Sequence, residues 1–494
     1  MSAAWLRTCA LILLGVLSAV AQGKEKQPAA IVVGGGMAGL TAAYELQQQG
    51  WQVTLLEAKP SIGGRSGLAS TEWIGSGKLQ PTLHAYLKDF KLATVAAPEY
   101  VRAPGYLIAG RYFNEADLLK EAPTTIEGLK RFDKSLDDLA ASIEDPLQPL
   151  VNTTLKTLDS ISVARWLDKL ALPPTARALV DQRIRSRYDE PSRLSLLYLA
   201  QQGRVYRGLP EGDLRAARLP GGSAALAQAF AKKIKTIKTN ARVSAIVQDK
   251  DSVTVKVGGA GYSADYVVLA VPLPALDKIS LTPSLSALQL RSLKDINYGW
   301  RDQMLLKFKK PVWGKSRLSG EVYSDQGLGM MWVEPALKGG ANLLVNISGD
   351  NARLLQAFGD RQMVDQVLIR FDKLFPGARE QFTGYELRRY GKDSLVGGAY
   401  LAYGPGEISL YWRMWEKPLG RVIFAGEHTD ALYPGTLEGA LRSGQRAAGQ
   451  ARDLFAGKTL EPVEQVATAA PTAPAKAKAD GKEEKKGFFS RLFN

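Results

Sequence analysis

Three glycines spaced G-x-G-x-x-G (Gly34, Gly36 and Gly39) and a carboxylate 18 residues later, Glu57, are the residues of this chain whose spacing points most directly to chemistry. That chemistry is the holding of a dinucleotide. Gly34 permits a tight turn, Gly36 lets backbone approach a pyrophosphate, and Gly39 lets a helix pack against the preceding strand. The acid meets ribose hydroxyls. Ala38 shares the turn and belongs with the cofactor contacts. These residues need elements to carry them. Residues 30–33 are apolar on both faces and read as a buried parallel strand. A helix over 37–49 turns its free N–H groups toward the pyrophosphate. Gly50 stops that helix, and residues 52–56 form the strand that delivers Glu57.

The run continues through Glu57-Ala58-Lys59-Pro60 to Gly63-Gly64-Arg65. The whole stretch resembles the amine-oxidase family of flavoproteins: monoamine oxidases, polyamine oxidases and L-amino-acid oxidases. The resemblance implies FAD rather than NAD, with Gly64 and Arg65 on the cofactor. It extends to Glu72-Trp73-Ile74-Gly75, where the interval after Arg65 is short and a hairpin is missing, and to RLPGGSAALAQAFAKKI from Arg218. In that second segment Ser223 is suited to capping a helix that runs to about Lys235. Val243 then corresponds to the valine whose backbone meets the adenine. A last block, Gly420 to Ala440, contains FAGEHT and YPGTLEGA. There the resemblance places Gly426, Glu427, Thr436 and Leu437 on FAD, with helix N-terminal amides facing the electron-rich edge of the flavin. It covers roughly residues 28–458.

The same resemblance implies oxidation of a small-molecule amine to an imine, with flavin reoxidation by oxygen or another acceptor. Tyr400, after Gly397-Gly398-Ala399, becomes one wall of an aromatic cage at the flavin. Ala399 stands where covalent members have a cysteine, so FAD is expected to be non-covalent. The opposite aromatic wall aligns with Thr436, and Tyr433 is the candidate to compensate. Tyr390 replaces the family's tryptophan beside the flavin. Gln303, ten residues before Trp313, replaces a lysine that holds a water on the flavin and assists reaction with oxygen. Gln303 can bind that water but brings no charge, and the nearest lysine, Lys307, lies about 13 Å further along the strand. These four residues, Tyr400, Gln303, Tyr433 and Tyr390, are the catalytic candidates.

The 494 residues, 45% hydrophobic and 23% charged, fit an α/β chain. A Rossmann-like FAD-binding domain (28–100, 215–275, 401–458) is interleaved with a mixed-sheet plus helical substrate domain (101–214, 276–400). Residues 1–21 read as a signal peptide ending in Ala19-Val20-Ala21, so the protein is expected to be exported, to the periplasm or outside the cell. Cleavage removes Cys9, the only cysteine, which excludes thiol and zinc–cysteine chemistry. With His84 and His428 the only histidines, no metal is expected. The net charge of +15 comes without basic runs interleaved with aromatics, which excludes nucleic acid as partner. Arg183, Arg185, Arg187 and Arg193 read as ion pairs or a solvated face. Residues 461–494 cannot build a core, and their Phe-rich end is the one segment suited to weak membrane or protein contact. Rival readings are an L-amino-acid oxidase, which needs a cation for the substrate carboxylate, a polyene or porphyrinogen desaturase, and a non-catalytic FAD-bound scaffold.

Overall fold

The computed structural model describes residues 27–66, 73–209, 211–313, 318–334 and 340–460. The expected leader, Glu72 of the tryptophan segment and the tail from residue 461 lie outside the described residues. The first strand, Ala29–Val33, is the centre of a five-stranded sheet. Ile31 and Val33 enter one apolar core while Ala30 and Val32 enter another. A strand covered on both faces has no use for polar alternation. Each fully buried branched side chain such as Val32 contributes about 1.5–3 kcal/mol. An acidic residue at Val32 would break the sheet at its middle.

The sheet runs Val422–Phe424, Tyr266–Leu269, Ala29–Val33, Gln52–Leu56, Ile237–Lys238, and every pairing is parallel. Its strands come from widely separated stretches of chain, so the Rossmann-like part is interleaved with the rest of the α/β fold. Parallel sheets bind ligands beyond the carboxyl ends of their strands. Here those ends deliver Gly34, Glu57, Ala270 and Gly426. The glycine helix, Met37–Gln48, follows the first strand, one residue shorter than expected. Gly34 has φ +106°, and a Cβ there would sit 2.5 Å from Ala270 O, so only glycine makes this turn. The long final helix, Leu437–Phe455, lies across the glycine helix at Gly444, where a Cβ would come within 2.5 Å of Ala38 O.

The second part is built on a seven-stranded mixed sheet. Its strand Arg301–Phe308 lies between Ala341–Ser348 and Phe382–Arg389, antiparallel to both. A two-stranded ladder beside it pairs Gly299 with Tyr400. Helices Pro123–Ala141, Pro174–Arg187 and Leu196–Tyr206 form the helical cover. Arg183, Arg185, Arg187 and Arg193 all pair with acids here: Asp133 (2.9 Å), Glu190 (2.7 Å), Glu321 (3.7 Å) and Asp350 (3.6 Å). One expectation is corrected. Ser223 does not cap its helix, which spans Gly222–Ala231 and starts from Gly221 in the left-handed region (φ +80°). A glycine turn made the start, and no side-chain cap was needed.

Candidate active site

A long cavity of about 270 Å³ follows the carboxyl edge of the parallel sheet and continues to the mixed sheet. One end is formed by Glu57 and Val243. Glu57 is buried; its Oε2 accepts from Gly35 N (2.6 Å) and its Oε1 from Lys59 N (2.7 Å). Ala241 N donates to Glu57 O (2.8 Å), which holds the chain entering Val243 against the acid.

Gly34, Gly36, Ala38, Gly64 and Arg65 line the middle. A Cβ at Gly36 would meet nothing within 4 Å, because it would point into the cavity. A Cβ at Gly64 would lie 3.1 Å from Gly36 Cα. The two glycines therefore leave a bare-backbone cradle that side chains at these positions would fill, and such a cradle fits a pyrophosphate. Gly39 lies outside the lining, because its task is internal: a Cβ there would run into Gly34 O.

Beyond the cradle, Arg65 Nη1 donates to Glu427 Oε1 (2.8 Å) and to Ala399 O (2.7 Å). Glu427 Oε2 accepts from Gly435 N (2.8 Å) and Leu401 N (3.3 Å). This pair ties the turn after the second strand to the last strand and to the start of the final helix. Burial opposes the charge on Arg65, but Glu427 more than offsets it and raises the arginine's pKa. Removing one partner of such a pair costs about 3–5 kcal/mol. Gly426 lines the same wall; Thr436 and Leu437 bring the N-terminus of the final helix to it, with Thr436 Oγ1 accepting from Gly439 N (3.0 Å).

The far end holds Gln303, Tyr390 and Tyr400. The Tyr390 hydroxyl lies 2.8 Å from Gln303 Oε1 and 3.0 Å from Arg65 O. Tyr400 is buried, and burial raises its pKa while the neighbouring Arg301 opposes the rise. Lys307 pairs with Glu386 (2.8 Å), away from the cavity. His428 packs over Gly426; burial, with Arg65 and Arg446 nearby, pushes its pKa down to about 4, so it is neutral at pH 7.

Tyr433 is not part of the cavity wall, contrary to the sequence-based expectation. Its ring packs 6.3 Å from that of Tyr206 and under Arg442 (5.3 Å), because its backbone is held by Asp430 and Thr436. Tyr206 lines a second cavity of about 260 Å³ under the helices, which also includes Tyr188. The Tyr188 hydroxyl, pushed up to about 12 by burial, stays protonated. Thr436, at the position where the family has an aromatic wall, caps the final helix and lines the cavity. Sequence reading also missed Arg301, which lines the cavity beside Gln303. The signal was available: a strand repeats its faces every two residues. Among the described residues no group of His, Cys, Asp or Glu gathers as around a metal.

Comparison with known proteins matches residues 37–452 to the family described as flavin containing amine oxidoreductase. The chain is 27% identical to a protein named probable flavin-containing monoamine oxidase A from Dictyostelium discoideum, over 87% of this chain and 98% of the relative. It is also 27% identical to an L-amino-acid oxidase of Mus musculus, over 89% of this chain and 73% of that one. Among solved structures, cyclohexylamine oxidase from Brevibacterium oxydans IH-35A shares the fold, with TM-score 0.76 at 23% identity over 87% of this chain and all of that one.

Proposed function

Because this chain belongs to the flavin-containing amine oxidoreductase family, we propose that it converts an amine R–CH(R′)–NH₂ to the imine, which water then hydrolyses to a carbonyl compound and ammonia. The chain is an FAD-dependent oxidoreductase acting on CH–NH₂ groups of small molecules. The chemistry that FAD supplies when bound is acceptance of a hydride equivalent from the carbon bearing the amine.

The protein's own residues bind, orient and keep the site dry. Glu57 and Val243 take the adenosine end, the cradle of Gly34, Gly36 and Gly64 takes the pyrophosphate, and the Arg65–Glu427 pair holds the walls together. Tyr400 forms an apolar face with a buried hydroxyl, against which the substrate carbon is steered. The amides at the start of the final helix favour negative charge at their end of the cavity. Gln303 and Tyr390 can hold a water between them and the reacting centre, and the absence of charge at Gln303 favours an electron acceptor other than oxygen. With Ala399 offering no sulfur, FAD is held non-covalently. The leader-like residues 1–21 support action outside the cytoplasm.

The observation that carries this reading is the unbroken cavity from Glu57, past the bare glycine cradle, to Tyr400. Anaerobic mixing of the holoenzyme with a panel of amines, polyamines and amino acids tests it. Loss of the flavin's visible absorption with at least one class is expected. A flavin that stays oxidised with all of them would point to the scaffold reading.

A further inference from the structure

Arg301 is the cavity residue that amine oxidation leaves unexplained. It precedes Gln303 by two positions on one strand face, and the Gly299–Tyr400 pairing sets it beside Tyr400, its guanidinium 4.9 Å from that ring's centre. Gly299 allows this, since a Cβ there would strike Tyr188 O and the Tyr400 ring. Arg301 thus lines the long cavity, while Gly299, two residues earlier, lies against Tyr188 of the second one. Its Nη2 donates to Ser186 O, while its Nε is buried with no hydrogen-bond partner. No carboxylate among the described residues pairs with it. Asp189 Oδ2 takes Arg353 (2.6 Å) and Asn297 (3.0 Å). Glu427 takes Arg65 (2.8 Å), and Asp302 leaves the opposite strand face for Gln356 (2.7 Å).

A guanidinium keeps its charge at any working pH. Left in a cavity without a directly paired carboxylate it is costly, and it repels a simple cationic amine. A substrate carboxylate resolves both problems, because the planar fork of donors matches its two oxygens. We propose that Arg301 binds a carboxylate of the substrate, which makes amino acids, rather than simple amines, the substrate class of this site. The Tyr400 hydroxyl, buried beside the guanidinium, supplies a second donor. Arg301 and Gln303 leave their strand about 7 Å apart, a span that suits a carboxylate next to the amine-bearing carbon, as in α-amino acids. The inference rests on the amine-oxidation reading above.

Two measurements on the FAD-loaded protein test it. The first needs no turnover: propanoate, 4-methylpentanoate and 3-phenylpropanoate, each against its neutral amide, are titrated while the oxidised flavin spectrum and binding heat are followed. At least one acid is expected to bind about tenfold or more tightly than its amide. Arg301→Met should erase the gap and Arg301→Lys should keep part of it, with flavin content retained and the melting temperature not lowered. Equal binding of acids and amides by the wild type, which requires no variant, overturns the proposal, as does a gap that survives Arg301→Met. The second compares anaerobic flavin bleaching by leucine and phenylalanine with 3-methylbutylamine and 2-phenylethylamine. The amino acids should lead in the wild type and lose that lead in Arg301→Met; a lead for the amines in the wild type overturns the proposal. Arg301-dependent acid binding without bleaching by any amine or amino acid would sink the oxidation reading and leave the carboxylate site standing.

Discussion

Glu57 performs two tasks with one carboxylate. It accepts the amides of Gly35 and Lys59, so it pins the glycine turn to the following loop, and it faces the end of the cavity where ribose hydroxyls belong. Losing a charged acceptor costs roughly 1.5–3 kcal/mol, or about 10–150-fold in affinity. Glu57→Ala is expected to lose FAD by that factor, while Tyr400→Phe retains it to within about twofold; dialysis followed by titration of the apoprotein reads both. Gln303 is the second residue with a sharp test. A lysine there would forgo the Tyr390 hydroxyl, which keeps Arg65 O as its alternative acceptor. Gln303→Lys should speed reoxidation of the reduced flavin by oxygen about 10–100-fold, or roughly 1.4–2.8 kcal/mol of barrier. Stopped-flow records of both half-reactions check this, with reduction by substrate nearly unchanged. Unchanged reoxidation at full flavin content would move oxygen handling away from position 303.

At the scale of elements, the strand–turn–helix unit separates glycines that build from glycines that bind. Gly39→Ala pushes a methyl into Gly34 O and is expected to unfold the unit or lower its melting temperature by many degrees. Gly36→Ala meets open space at an ordinary backbone conformation, so the melting temperature of the apoprotein should hold while FAD binding collapses. Parallel loss of stability in both variants would contradict the cradle. The Tyr298–Gly299 and Tyr400–Leu401 ladder depends on Glu407, whose Oε2 accepts from Asn297 N (3.0 Å) and Gly404 N (2.8 Å). Burial raises its pKa from 4.5 to about 7. The folded protein thus keeps a proton that the unfolded chain releases between those values. This contribution to stability is greatest below pH 4.5, falls as pH rises toward 7, and is flat above. Glu407→Gln should remove that slope and gain up to about 3 kcal/mol on the wild type above pH 7, measured by denaturant titrations at several pH values.

At the scale of the whole molecule, the cavity exists because distant stretches of one chain converge on the edge of the parallel sheet. Arg65 and Glu427 stand 362 positions apart and still close the wall by direct contact. No covalent bond is needed to hold a cofactor enclosed from so many sides. Acid or urea denaturation is expected to release FAD intact into the supernatant, read by its absorption after precipitation of the protein. Flavin that stays with the pellet would contradict non-covalent binding. No helix among the described residues is long and apolar enough to cross a membrane.

What the sequence determined by itself was local. Gly34, Gly36, Gly39 and Glu57 are legible because a turn, a helix start and a strand end constrain residues that are neighbours in the chain. The place of Ala399 before Tyr400, and of Gln303 before Trp313, is legible for the same reason. Only the tertiary structure decided which side chains share a space. Tyr433 sits three residues before Thr436, yet its backbone is turned toward Asp430 and its ring leaves the cavity for Tyr206. Arg301 reaches Tyr400 because a two-residue ladder pairs Gly299 with Tyr400, 101 positions away. Local periodicity assigns a residue to a face; pairing between distant strands decides what that face meets, and with it the charge that a substrate encounters.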